Sequence, residues 1–117
     1  MNIKYKNKAL ERQCTDLKKA KMEFGKMGED VIAKINIIEC ANSFMDLVNL
    51  QSLRCHGLHG HLNDYWAIDV KGKENKLRII LAPLDENGQI VVADNDFFKI
   101  CKTLKIVLIK EVSGHYE

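Results

Sequence analysis

No run of apolar residues in this chain approaches the length of a membrane span, and its first eight residues lack the apolar core of a secretory signal. Both absences lead to the expectation of a cytoplasmic chain. The four cysteines, Cys14, Cys40, Cys55 and Cys101, are widely spaced and include no C-x-x-C pair, so disulfides are not implied. Three of them sit inside apolar patterns, where free thiols behave as small hydrophobes. Repeats, linkers and low-complexity segments are absent, and the single proline, Pro83, is expected to end a strand. What remains is 117 residues, 46% hydrophobic and 29% charged, which fit one soluble domain spanning 1–117 with a single core.

The net charge of +2 conceals an asymmetry. Residues 1–27 carry seven Lys and one Arg against Glu11, Asp16 and Glu23, a balance of +5 that leaves −3 for the rest. A one-sided basic surface attracts an acidic partner or a nucleic-acid backbone, although a Lys-rich solvated helix face has the same composition.

Residues 2–5 alternate and suit an opening strand. From Asn7 to Phe24 the positions Leu10, Cys14, Leu17, Ala20 and Phe24 recur at helical spacing, predicting one amphipathic helix. Gly25 and Gly28 mark a turn, and a second helix follows to about Ala41, presenting Val31, Ile35 and Ile38. The two helices should form an antiparallel hairpin lying on a sheet. Ser43 is placed to cap a short helical turn. Tyr65-Trp-Ala-Ile-Asp-Val70 and Lys76-Leu-Arg-Ile-Ile-Leu81 read as a β-hairpin, Gln89-Ile-Val-Val92 as an extra strand, and Phe97, Phe98 and Cys101 as a short helix capped by Asp94 or Asn95. Ile106-Val-Leu-Ile109 reads as a central strand buried on both faces. The fold class is therefore α+β: an N-terminal helical hairpin on one face of a mainly antiparallel sheet of four or five strands.

The last strand delivers Ser113, His115 and Tyr116 near its end, where they read either as a site on a rigid base at the edge of solvent or as the end of a loosely ordered tail. Arg78 falls opposite the Leu77/Ile79/Leu81 stripe, so it should emerge on the uncovered sheet face with Tyr65 and Asp69, on a surface suited to a phosphate-containing ligand. The competing reading pairs Arg78 with Asp69 or Asp64 across the hairpin. His56, His59 and His61 stand beside Cys55, but adjacent donors on a strand point to opposite faces, so proton transfer or phosphate contact is expected there, not a metal.

Four ordered stretches resemble HigB-type toxins, the plasmid-maintenance killer branch of the RelE/ParE superfamily: Leu53-Arg-Cys-His-Gly-Leu-His-Gly60, Tyr65-Trp-Ala-Ile-Asp-Val70, Leu77-Arg-Ile-Ile-Leu-Ala-Pro83 and Ile109-Lys-Glu-Val-Ser-Gly-His-Tyr-Glu117. The resemblance implies a RelE-like fold and the toxin of a type II toxin–antitoxin pair. Such a toxin binds a small antitoxin, often a HigA-like helix-turn-helix protein, meets operator DNA only through that antitoxin, and cleaves mRNA on the ribosome without a metal or other cofactor. By the same resemblance Arg78 faces the scissile phosphate, His56 and His115 are base and acid in an order left open, and Tyr116 contacts the nucleotide. Arg54, His59, Tyr65 and Lys76 are implied as substrate-binding. Three departures stand out: His59 where the family commonly has lysine, Gly114 where an acidic or polar residue is usual, and a longer segment over 85–104. The alternatives are a ParE-like toxin that binds DNA gyrase without cutting RNA, or a degenerate relative that only binds the antitoxin.

Overall fold

A computed structural model of the chain describes residues 1–72 and 75–114. In these residues strand β1 (Asn2–Tyr5) leads into helices α1 (Lys8–Thr15), α2 (Leu17–Phe24), α3 (Gly28–Cys40) and α4 (Phe44–Asn49). Strands β2 (His56–Gly57), β3 (Trp66–Asp69) and β4 (Arg78–Leu84), a short helix α5 (Phe97–Ile100) and strand β5 (Ile106–Ser113) complete the order. The fold is α+β, with a five-stranded mixed sheet ordered β1-β5-β4-β3-β2. Among the described residues only the β1/β5 pair is parallel. No helix of the described residues is long and apolar enough to cross a membrane.

The helix expected over 7–24 is two helices. Asp16 adopts an extended conformation, and its Oδ1 accepts the backbone N–H of Lys18 at 2.9 Å and of Lys19 at 3.3 Å, so it caps α2 instead of continuing α1. Leu17 consequently leaves the apolar stripe and is exposed, whereas Leu10, Cys14 and Ala20 stay buried. The hairpin between α2 and α3 closes tightly because Gly28 has no side chain: a Cβ there would stand 2.7 Å from the Ala20 carbonyl carbon. On α3 the stripe Val31, Ile35 and Ile38 is buried as its spacing requires.

Helices and sheet enclose one core that includes Trp66, Ile68, Ile79, Leu81, Val107 and Ile109. Phe97 anchors α5 in it, its ring stacked on Trp66 at 5.3 Å between centroids. The segment 85–104 therefore contributes to the core. Pro83 does not end β4, which runs on to Leu84 with Pro83 opposite Val107. The Pro83 carbonyl accepts Val91 N–H at 3.0 Å on the side away from β5, so the missing proline donor faces away from the β4/β5 ladder. Residues 89–92 form a single bridge, Ile90 to Leu84, in place of the expected extra strand. Asp96, not Asp94 or Asn95, occupies the cap position of α5. β5 lies between β1 and β4 as expected, but only Val107 and Ile109 are buried, with Ile106 and Leu108 half-buried.

The sheet face away from the helices is not open. Leu58 and Leu62, from the loop between β2 and β3, pack with half-buried Tyr65 on Ala67 and Ile80 and form a second small core. As a result every residue of β3 and β4 is buried.

Candidate functional site

Cross-strand register decides which polar residues meet on that second face. His56 stands opposite Ala67, Asp69 opposite Arg78, and Arg78 opposite Ser113, and directly opposed residues share a face. Arg78 does not emerge into solvent as its strand position predicts; it is 8% exposed. Its Nε lies 2.7 Å from Asp69 Oδ1, and its Nη1 donates to the carbonyls of Asn75 and, at 3.0 Å, Leu77. The Nε–Oδ1 contact is close but not aligned as a hydrogen bond, so it is an ion pair. The cross-strand pairing of Arg78 with Asp69 is thus the arrangement present.

Arg54 takes up the same carboxylate from the other side. Its Nε donates to Asp69 Oδ2 at 2.7 Å. One carboxylate, 2% exposed, thereby sits between two guanidiniums whose side chains are 50% exposed for Arg54 and 10% for Arg78. Arg54 follows the 3-10 turn Gln51–Leu53 and has φ +50°, a left-handed conformation uncommon for a residue with a side chain. That turn brings the Arg54 carbonyl to 2.7 Å from Nδ1 of exposed His56. A carbonyl only accepts, so Nδ1 carries the hydrogen, and Nε2 holds the lone pair whenever the ring is neutral.

Gln51, Arg54, Cys55 and His56 line an open cleft of about 650 Å³. The Cys55 thiol in it is pushed up to about 12, mainly by burial and secondarily by the charge of Cys101, so it is neither a nucleophile nor a ready metal ligand near neutral pH. Among the described residues no group of three His, Cys, Asp or Glu side chains comes together to hold a metal. The polar groups available for chemistry are a fixed cation and an imidazole with a defined proton acceptor, the requirements for binding an oxyanion and moving a proton beside it.

Of the residues singled out in the sequence, Arg54, His56 and Arg78 are brought together through Asp69 and the Arg54 carbonyl. His59 and Lys76 are exposed, outside this cluster. Tyr65 belongs to the second core, and Lys110 Nζ lies 5.6 Å from its ring centroid. His115 and Tyr116 lie outside the described residues. Two contacts went unread in the sequence. The Arg54–Asp69 pair joins a turn to a strand 15 residues on, and Lys110 reaches Tyr65 from the irregularity between Ile80 and Leu81, where β5 carries one extra residue. A signal for the first existed in Asp69, an acidic residue inside an otherwise apolar strand.

Comparisons with protein-family models, curated proteins and solved structures returned no match for this chain.

Proposed function

We propose that this chain is the toxin of a type II toxin–antitoxin pair and cleaves translated mRNA on the ribosome, with the cleft at Arg54 and His56 as its reacting centre. The toxin part of the reading is supported by the ordered HigB-like stretches, and so is the RelE-like assignment of the α+β fold. The observation that carries the chemistry is the pair of contacts made by Arg54, Nε to a buried carboxylate and carbonyl to His56 Nδ1. In this reading His56 Nε2 takes the ribose 2′-OH proton, O2′ attacks phosphorus, and the bond to O5′ breaks to leave a 2′,3′-cyclic phosphate. Arg54 stabilises the charge building on the phosphoryl oxygens, a role the burial of Arg78 moves to its neighbour. The acid that protonates O5′ is assigned to His115 and the nucleotide contact to Tyr116, both by resemblance. The ribosome supplies in-line geometry, and proximity is a large share of the barrier reduction.

The partner is a small acidic-segment antitoxin of the helix-turn-helix class, covering the basic face of α1 and α2, where Lys18, Lys19, Leu17 and Met22 are all exposed. Reversing Lys18→Glu with Lys19→Glu weakens that complex; an unchanged affinity in a pull-down or titration rejects the contact.

A second reading is favoured by one observation. Arg78, the residue the family aims at the phosphate, is buried against Asp69, as in a relative that binds without cutting. The discriminating experiment follows what stops when the chain is produced in bacteria. Translation arrest with internally cut mRNA supports the nuclease, replication arrest with DNA breaks supports a gyrase-binding toxin, and neither leaves an antitoxin-binding relative.

A further inference from the structure

Arg78 alone already lies at ion-pair distance from Asp69, and its side chain is nearly as buried as the carboxylate. The second guanidinium adds a hydrogen bond to that charge, and it comes from a residue half in solvent and in a left-handed conformation. Only Nε of Arg54 is engaged among the described residues, which leaves both Nη groups for the cleft it lines with Gln51, Cys55 and His56. We propose that Asp69 is the positioning residue of this site: gripping Arg54 by Nε, it presents the Nη groups to a phosphate oxyanion and, through the Arg54 carbonyl, fixes His56 with Nε2 as its proton acceptor.

The chain of contacts is short and each link has a chemical reason. β3 is hydrogen-bonded to β4 over its full length, so the Asp69 backbone is rigid. A carboxylate that receives Nε leaves the outer edge of a guanidinium, its two Nη groups, turned away from it, the edge that matches two oxygens of a phosphate. Because the Arg54 carbonyl holds Nδ1, any swing of the Arg54 backbone also moves the imidazole.

The catalytic half of this proposal rests on the nuclease reading; the geometric half does not. The experiment therefore uses two readouts on the full chain, wild type and Asp69→Asn. In heteronuclear NMR the wild-type Arg54 Nε–H is ordered, unlike that of exposed Arg12, and the His56 nitrogens show the Nδ1–H tautomer. Both signatures are lost in Asp69→Asn. In mRNA cleavage Asp69→Asn lowers kcat by about a hundredfold, the scale of a misplacement near 1 Å. It costs nothing further in an Arg54→Ala background, whereas a merely structural Asp69 gives losses that multiply. Should wild type cut no mRNA, inorganic phosphate is titrated instead. Shifts at Arg54 and His56 in wild type but not in Asp69→Asn uphold the positioning role while removing the nuclease reading, and equal shifts in both overturn it. If Asp69→Asn does not fold, the wild-type spectrum decides, since an Arg54 Nε–H as mobile as that of Arg12 overturns the proposal.

Discussion

Arg54 and Arg78 share the Asp69 carboxylate but not their exposure, and that difference sets what each contributes to stability. Removing Arg78 leaves a carboxylate that is 2% exposed with only the half-exposed Arg54 as partner, whereas removing Arg54 leaves the buried pair intact. Arg78→Ala should therefore cost up to about 3–5 kcal/mol of folding stability, the scale of a buried charge that loses its buried partner. Arg54→Ala, at a half-exposed pair discounted for solvent, should cost under about 1 kcal/mol. Urea unfolding of the two variants checks this, and equal losses would show that Asp69 does not distinguish its partners. The thiols give a second test at this scale. Burial pushes Cys14 and Cys55 up to about 12 and Cys101 up to about 11, while Cys40 is exposed. Under native conditions near neutral pH a thiol reagent should label Cys40 quickly and the other three slowly. Peptide mapping after a short pulse reads the order, and fast labelling of Cys14 would contradict the burial of α1. A cross-strand partner for Arg78 was legible as one of two readings, with Asp69 or Asp64 left open, because the alternation of Trp66, Ile68 and Val70 fixes the face while the register that sets Asp69 opposite Arg78 is visible only in the structure. Arg54 was legible as a cation but not as a partner of Asp69, since nothing local signals that a turn residue will reach a strand.

Among the elements, the helical hairpin depends on Gly28. Gly28→Ala drives a methyl against the Ala20 backbone, 2.7 Å away, so α2 and α3 must separate. A loss of about 1–3 kcal/mol is expected in thermal or denaturant unfolding, and an unchanged midpoint would mean that the two helices are not in tight backbone contact. The α3 stripe could be read from spacing because one face meets the sheet and burial follows period 3.6. The break at Asp16 could not be read the same way: Leu10, Cys14, Leu17, Ala20 and Phe24 keep helical spacing across it, and the carboxylate's capping of Lys18 and Lys19 overrides that pattern. The covering of the second sheet face by Leu58 and Leu62 was hidden for a related reason. Both leucines lie in a Gly-rich loop, where apolar residues look isolated until the chain folds back.

For the whole molecule, the raised thiols make stability fall on the alkaline side. Their ordinary value is 9.0, and above it the unfolded chain loses protons that the folded chain keeps until about 12 at Cys14 and Cys55. The unfolded state then binds fewer protons, so stability present below pH 9 declines as pH rises through that window. Unfolding midpoints measured from pH 7 to pH 11 should drop, and a Cys14→Ala variant should drop less steeply; parallel curves would contradict the assignment. The α+β class and the succession of β1, α3, β3, β4, α5 and β5 were evident from alternating and helical patterns, whereas the split of 7–24 into two helices and the short strand β2 were not. The closure of the sheet on both faces was not, and it reassigns the accessible cation from Arg78 to Arg54. The most direct measurement of the account is cleavage of mRNA engaged on purified ribosomes by wild type, Arg54→Ala and His56→Ala, with the new 3′ ends analysed chemically. Wild type should leave 2′,3′-cyclic phosphate ends, and each variant should cut about a hundredfold more slowly, on the order of one lost acid–base or charge-stabilising group. Cutting that persists undiminished in both variants would contradict this reading.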